Sequence, residues 1–389
     1  MQISTIPSSP RTGGSKYDHP ECRWPDPDNP RSQHFLLTKE ARNIRPKDIW
    51  NLSDDDAYQI FHDFRWAETD GKPYCPVCGT FDPYSIRRRR FRCPANECRR
   101  EFSVTSGTVF ANRKLPFKTI IMAIWEEISA VKGMAALHLT RKLGVQYKTA
   151  WVLLMKIREA IGLRRDDMNL RGTIQIDGKY VGSIQKPENK KEDRLDFRLK
   201  ENQNGKRRCI MAMREANIGA PNRTITRVIM DENNLDSWAF VKKHVRKNAR
   251  IVADEHKAYD DLIGLAKMTR VNHSRQFMAE DGTHTNFIEG FFARIERAYV
   301  GVHHRFSMKY LDWYAASVAW KEDTRYMGLR WQMSDIIRTI IRRPISRNLS
   351  GYWQGAAQRI ADQVWVAGKP VALTDRSPKA SAARLSPPS

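Results

Sequence analysis

The chain has 389 residues, and its 67 lysines and arginines outnumber its 44 acidic residues to give a net charge of +23. This length allows two or three domains, each with its own core. A positive excess of this size attracts polyanions and makes binding sensitive to salt, so we expect nucleic acid as the partner, ahead of a membrane surface. No stretch approaches the roughly 20 apolar residues of a membrane-spanning helix, which argues against an integral membrane protein.

The start of the chain predicts an intracellular protein. Its first residues, MQISTIPSSPRTGG, lack the apolar run of a signal peptide. In a reducing compartment the six cysteines are not expected to form structural disulfides.

The two ends of the chain differ from its middle. Residues 1–35 and 368–389 have little apolar content and are rich in proline, serine and charged residues, so we predict a flexible arm and a disordered tail. Between them the hydrophobic period changes along the chain. The predicted segments are a helix plus a cysteine block (48–106), a helical region (113–165), an α/β domain (170–328) and a helical extension (329–367).

Four cysteines form two closely spaced pairs in the first segment, after a helix for which Ser53 is the expected N-cap. The pairs lie in YCPVCG and CPANEC, and their prolines and glycine suit tight turns. Four thiolates brought together by two such turns are the ligand set of a structural Zn²⁺ site, here in a zinc ribbon. Four buried or free thiols are the alternative. The predicted zinc ligands are Cys75, Cys78, Cys93 and Cys98.

Two amphipathic helices joined by the turn LGVQ are predicted in MAALHLTRKLGVQYKTAWVLLMKIREAIG. Such a pair is typical of a helix-turn-helix, whose second helix contacts DNA bases. A plain helical hairpin has the same pattern. In the ribbon, Arg87 and Arg88 could contact phosphates or could simply lie on a solvated charged strand. The residues expected to begin the DNA-reading helix are Gln146, Tyr147 and Lys148.

Beyond residue 170 the pattern changes to strands. RGTIQIDGKYVGS, RRCIMAMREA and RTITRVIMDE predict an antiparallel meander. A helix, a short buried strand over 251–253, a second helix, the strand MTRVNHS and a closing helix follow. This order predicts an RNase H-like α/β domain with a mixed sheet.

Three carboxylates in this domain are candidate ligands for divalent cations. Asp177 and Asp254 each follow a strand, and Glu289 lies beside the apolar stripe of TNFIEGFFARIE. In an RNase H-like layout the two aspartates lie on adjacent strands, and the glutamate can approach from the last helix. Carboxylates without a matched basic partner repel one another unless divalent cations lie between them. Two Mg²⁺ or Mn²⁺ ions held there would activate a water or a 3′-hydroxyl and stabilise the leaving oxygen of a phosphodiester.

Taken singly, each of these acids also has an ordinary structural role. Asp177 could cap a turn, and Asp254 could cap the helix that follows it. Glu289 could simply point into solvent. The hypothesis of a catalytic site depends on all three residues together.

The chain resembles bacterial insertion-sequence transposases of the ISXO-type group, which carry a zinc ribbon, a helix-turn-helix and a DDE-type RNase H-like domain. The resemblance runs from about residue 50 to about residue 325. It is carried by the cysteine pairs and by LGVQYKTAWVLLMKIREAIG, IDGKYVG, ADEHKAY and HTNFIEGFFARIERAYVGVHHRFSMKYLDWY.

The resemblance implies that Asp177 and Asp254 are the first two catalytic acids. Either Glu289 or Asn286 would be the third, and we favour Glu289 for its spacing. Similar transposases often have an acidic residue where Gly178 stands and a lysine where Glu296 is followed by Arg297. Arg294 or Arg297 could replace that lysine as a DNA contact, and His303 and His304 could contact the DNA backbone or pack in the core.

The expected function is that of a DNA transposase acting on double-stranded DNA in the bacterial cytoplasm. It would bind the terminal inverted repeats of its element, cut them and join them to target DNA, as a homo-oligomer because two ends are cut together. The alternatives are a non-catalytic DNA-binding regulator derived from a transposase and a zinc-ribbon nuclease without strand transfer.

Overall fold

The computed structural model describes residues 34–87, 89–182, 190–195, 202, 207–217, 222–271, 284–346, 348–352, 362–367 and 369–373. The predicted arm up to residue 33, Arg88 and the tail from residue 374 lie outside the described residues.

The first segment opens with two helices, α1 (Pro46–Trp50) and α2 (Asp54–Arg65). Ser53 caps α2 as predicted, because its Oγ accepts from the Asp56 backbone N–H at 3.0 Å. The Asp56 carboxylate accepts in return from the Ser53 N–H at 3.1 Å. This reciprocal capping starts α2 four residues after α1 ends.

A three-stranded antiparallel sheet follows, made of β1 (Tyr84–Ile86), β2 (Arg90–Arg92) and β3 (Glu101–Ser103). Its strands are too short to form a core alone. The rings of Phe91 and Phe102 stack with centroids 5.5 Å apart, and Trp66 packs edge-on against Phe91 at 5.3 Å. These rings join the ribbon to the helical core.

The helical region contains α3 (Phe117–Ser129), α4 (Ala136–Leu143) and α5 (Tyr147–Arg164). Helix α4 ends at Gly144, whose left-handed backbone (φ +64°) allows the sharp turn into α5. Buried apolar residues of all three helices belong to the same core as those of the ribbon.

The strands of the large sheet are β4 (Thr173–Val181), β5 (Arg208–Glu215), β6 (Thr224–Ile229), β7 (Arg250–Asp254) and β8 (Lys267–Val271). They lie in the order β6-β5-β4-β7-β8, in which β4 is central. Strands β4, β5 and β6 form the predicted antiparallel meander, and β7 and β8 add to the other side in parallel. This is the mixed sheet of an RNase H-like domain.

Helices cover both faces of this sheet. One face packs on α6 (Asn234–His244) and on the segment Lys257–Gly264. The other packs on α7 (Asn286–Ala298) and α8 (Leu311–Asp323). None of the described helices combines the length and apolar character needed to cross a bilayer.

A buried ionic network joins the helical region to the α/β domain. Glu127 of α3 accepts from Arg158 of α5 at 3.2 Å, and both side chains are almost fully buried. Lys321 of α8 donates to the backbone carbonyl of Glu127, and Ser317 donates to its carboxylate at 3.2 Å. Burial alone would raise the pKa of Glu127, but Arg158 and Lys321 outweigh burial and lower it.

The structure refines one expectation about secondary structure and corrects another. The helix expected after Asp254 is present as a 3₁₀ helix over Lys257–Gly264. The extension 329–367 is helical only in α9 (Leu329–Arg342) among its described residues, because Asp362–Val366 forms β9. β9 pairs with β10 (Lys369–Leu373), so the predicted disordered tail begins with a strand.

The β9–β10 hairpin and the segment that begins at residue 34 both pack against the rest of the described structure. Val364 is buried against the α7 face of the sheet, and the Arg227 guanidinium lies 4.0 Å from the ring centroid of Trp365. Phe35, assigned to the flexible arm from its polar context, is buried beside Ala41 and Tyr326.

Candidate active site and metal centre

The four ribbon cysteines converge. Their sulfur atoms all lie within 4.8 Å of one another, with Cys75 Sγ 3.8 Å from Cys98 Sγ and Cys78 Sγ 3.4 Å from Cys93 Sγ. A contact with the Thr80 hydroxyl at 3.2 Å lowers the pKa of Cys78 to about 6, which favours the thiolate that binds metal. The set fits one tetrahedral Zn²⁺.

Asp177 and Asp254 lie side by side on the two central parallel strands. Ile176 pairs with Ala253 in the register of β4 and β7, so the next residue on each strand is one of the two acids. Neighbouring strands are about 4.8 Å apart. Asp254 ends β7 as expected, whereas β4 continues for four residues beyond Asp177.

Both acids face the layer that contains α7. Asp177 pairs with Ala212 of β5, and Ala212 packs in the same cluster as Ile288 and Phe291 of α7. Ile176 and Ala253, which precede the acids, pack on the opposite face. Because side chains alternate along a strand, the two acids share the α7 face.

Gln175 anchors α7 to the strand that carries Asp177. Its Oε1 accepts from the backbone N–H of Ile288 at 2.9 Å, and its Nε2 donates to the His284 carbonyl at 2.6 Å. The Ile288 N–H also donates to the Thr285 carbonyl at 3.1 Å, so the Gln175 amide is a second acceptor for a backbone group in the first helical turn. Gln175 was not predicted as a functional residue from the sequence. A glutamine between two isoleucines, two residues before Asp177, could have indicated a polar contact on the same face of the strand.

Glu289 and Asn286 lie on the first two turns of α7 and are exposed. Glu289 Oε1 accepts from Thr285 Oγ1 at 2.6 Å, and the Asn286 N–H donates to His284 Nδ1 at 3.3 Å. Among the described residues, the cysteine cluster is the one group of three or more His, Cys, Asp or Glu whose ligand atoms all lie within 4.8 Å. The three acids are therefore more widely spaced than the cysteines.

The surroundings of Asp177 disfavour the ionised form of its carboxyl group. Burial raises the pKa of Asp177 to about 7, and Asp254, Glu232 and Glu289 add to this effect. Its Oδ1 accepts only from the neighbouring Gly178 N–H, at 2.7 Å, among the hydrogen bonds found for described atoms. A buried carboxylate surrounded by acids favours protons or divalent cations, and oxygen ligands of this kind suit Mg²⁺ or Mn²⁺.

The predicted DNA contacts that the structure describes at the start of α5 and in the ribbon are exposed. Gln146 occupies the N-cap position of α5 without a capping hydrogen bond from its side chain, and Tyr147 and Lys148 begin the helix. Arg87 is exposed at the end of β1. The side chains of these residues are thus accessible to a ligand.

The two histidines after α7 have different surroundings. The His303 ring packs against Phe306 and Tyr314, and burial lowers its pKa to about 3, so it is neutral at pH 7. This arrangement favours the packing role for His303. His304 is exposed and has a left-handed backbone (φ +54°).

A four-cysteine ribbon ahead of a mixed-sheet domain with two acids on adjacent strands is the architecture of a DDE-type transposase. Residues 169–323 match the family model of the ISXO2-like transposase domain, and residues 52–101 match that of the transposase zinc-ribbon domain. The chain therefore carries an ISXO2-like transposase domain together with a transposase zinc-ribbon domain, which confirms the resemblance found in the sequence. No curated protein and no solved structure gives a significant match.

We predict that Cys93→Ser lowers the zinc content of the purified protein from about one ion per chain, because three thiolates hold Zn²⁺ more weakly than four. Metal analysis by plasma emission spectroscopy measures this. Cys209→Ala is the matched control, since Cys209 is buried in the sheet core and should leave the zinc content unchanged. Full zinc retention by the Cys93 variant would contradict the assignment.

We predict that Asp177→Asn raises the melting temperature of the metal-free protein at pH 8. Because the folded-state pKa is raised, the folded chain holds a proton that the unfolded chain loses between pH 3.8 and about 7, and the stabilisation disappears as pH rises through that window. Removing the buried charge should add at least about 2 °C, since about 1 kcal/mol corresponds to roughly 2–4 °C in a domain of this size.

Thermal unfolding in a chelator at pH 5 and pH 8 checks this expectation. The increase should be larger at pH 8, and added Mg²⁺ should stabilise the wild type more than the variant. Asp193→Asn, at an exposed position, serves as the control. A lower melting temperature for Asp177→Asn at pH 8 would show that the ionised carboxylate stabilises the fold.

Proposed function

We propose that this protein cuts DNA at the ends of its element and joins the resulting 3′-hydroxyls to target DNA. The observation that carries this proposal is the pairing of Ile176 with Ala253, which puts Asp177 and Asp254 side by side on the face covered by α7. Glu289 lies on α7 itself and contributes to the raised pKa of Asp177.

The proposed roles follow from the donor atoms. Asp177 and Asp254 would hold divalent metal, and Glu289 would join them after leaving its hydrogen bond with Thr285. The bound ions would supply activation of the attacking hydroxyl and stabilisation of the leaving oxygen. Asn286, exposed on the first turn of α7, would be an auxiliary ligand or a DNA contact. Gln175 would keep α7 in place during both steps.

A basic cavity of about 510 Å³ supports the binding of DNA beside these acids. It lies between the 34–46 segment, the end of α3, the C-terminal half of α7 and α8, and Glu322 is the one acid among its lining residues. Lysine and arginine contacts to phosphates supply most of the non-specific affinity for DNA. Its basic lining residues are Arg42, Arg45, Lys132, Arg294, Arg297, Lys321 and Arg325.

The cavity is close to the acid site along one helix. Arg297 is eight residues after Glu289 on α7, a separation of about 12 Å at 1.5 Å per residue. Arg294 is paired with Glu322 at 2.5 Å, whereas Arg297 is exposed. Arg297 is therefore the better candidate for a phosphate contact on the strand that enters the site.

The zinc ribbon and the exposed start of α5 would bind the terminal repeats of the element. Their shared hydrophobic core keeps them in a fixed arrangement. A dimer or larger assembly on DNA would bring two ends together, with each chain contributing its own set of acids.

We predict that Asp177→Ala abolishes Mg²⁺-dependent cleavage of a duplex carrying the element end, because a principal metal ligand is lost, while end binding stays within about twofold. Single-turnover cleavage and a gel-shift titration measure the two properties, with Asp193→Ala as the control. Cleavage by the Asp177 variant would disprove the assignment. If the wild type binds ends without cutting them in Mg²⁺ or Mn²⁺, the chain is a DNA-binding regulator. Cutting without joining would identify a nuclease.

We predict that Arg297→Ala weakens binding to any duplex and lowers the slope of log affinity against log salt by about one, because one phosphate contact is lost. Lys247→Ala is the matched control: it removes the same charge just before β7, at the end of that strand opposite Asp254. Equal salt slopes for the two variants would rule out a phosphate contact at Arg297.

A further inference from the structure

Gly178 leaves a space beside Asp177 that the side chain of Glu232 fills. A Cβ atom at position 178 would lie 2.1 Å from Glu232 Oε1, 2.4 Å from its Cδ and 2.9 Å from Cys209 Sγ. No carbon approaches an oxygen to 2.1 Å without a bond, so a side chain at 178 and the present position of Glu232 exclude each other. The glycine is required by this close approach.

Glu232 also contacts the segments that follow both strand acids. It lies between β6 and α6, and its Oε1 accepts from the hydroxyl of Tyr259 at 2.6 Å. Its backbone N–H donates to the hydroxyl of Tyr180 at 3.2 Å. Tyr180 is on β4, three residues after Asp177, and Tyr259 is fully buried in the 3₁₀ helix that follows Asp254.

These contacts form a bridge between the two acid-bearing strands on the face opposite α7. Gly178 and Tyr259 approach the same carboxylate, one from the end of β4 and one from the segment behind β7. The backbone pairing of β4 with β7 ends at Ile176 and Ala253. Beyond that pair, Glu232 contacts both Gly178 of β4 and Tyr259 of the segment that follows β7.

We propose that Glu232 is a positioning residue of the acid site, which fixes the spacing of Asp177 and Asp254 by packing against Gly178 and binding Tyr259. It acts through the backbone of the two strands and does not contact the DNA. This inference rests on the proposed function for its effect on catalysis, but the contact itself does not depend on that function.

The contact is tested by a double-mutant cycle on thermal unfolding in a chelator. Gly178→Ala alone should lower the melting temperature of the protein, because the new methyl group displaces Glu232. The same change should lower it less in the Glu232→Ala background, where the contact with Cys209 Sγ at 2.9 Å is the close approach that remains. Additive effects of the two substitutions would overturn the proposed packing, whether or not the protein cuts DNA.

The positioning role is tested by single-turnover cleavage across a range of Mg²⁺ concentrations. Glu232→Ala should slow cleavage at least about tenfold and raise the Mg²⁺ needed for half-maximal rate, since misplacing reacting groups by about 1 Å can cost 10²-fold. Tyr259→Phe should act in the same direction. Asp231→Ala removes a neighbouring exposed acid of the same segment and should leave both quantities unchanged.

Glu232→Gln separates position from charge. The amide keeps an oxygen that accepts from Tyr259 and fills the same space, so this variant should retain at least about a third of the wild-type rate if position is what matters. A Glu232→Gln variant as slow as Glu232→Ala, or a Glu232→Ala variant as fast as the wild type, would overturn the proposal. A wild type inactive on DNA would instead refute the proposed function and leave the stability cycle valid.

Discussion

The register between β4 and β7 is the constraint on which the candidate site depends. With Ile176 opposite Ala253, the buried isoleucines of β4 point towards α6, and Gln175 and Asp177 point towards α7. A shift of one residue would reverse every side chain of the strand and bury the acid in the hydrophobic core. The apolar packing of the α6 face therefore selects the register, and the register places the acids.

The acid site is an electrostatic exception in a strongly basic protein. The chain carries a net charge of +23, yet Asp177 is surrounded by Asp254, Glu232 and Glu289 and has a raised pKa. Functional sites often keep groups in environments that oppose their preferred ionisation, at some cost in stability. The basic cavity at the other half of α7 places arginine and lysine side chains close to these acids.

Local patterns were sufficient to predict much of this fold. The cap at Ser53, the glycine turn before α5, the cysteine pairs and the strand meander depend on neighbouring residues, and the structure contains all of them. The family match and the mixed sheet agree with the predicted fold class. The proximity of Asp177 and Asp254 could be predicted because an RNase H-like sheet places their two strands side by side, although β4 continues for four residues beyond Asp177.

The features that were missed depend on distant parts of the chain. Gln175 has a role only because its amide binds the backbone at the start of α7, which lies more than 100 residues later in the chain. Glu232 could not be linked to Gly178 without the sheet and the following loop. The strand β9 was missed because the whole extension 329–367 was predicted to be helical, whereas Trp365 lies in a hairpin beside Arg227.

The ionic network of Glu127, Arg158 and Lys321 limits how modular this transposase can be. One carboxylate is shared by α3, α5 and α8, so the helices next to the ribbon and the helix that covers the sheet have a common buried charge. Leaving such a charge unpaired is strongly destabilising. A chimera that takes its zinc ribbon and helices α3 to α5 from another chain would therefore have to take α8 as well, so the two parts of the molecule would have to be exchanged together.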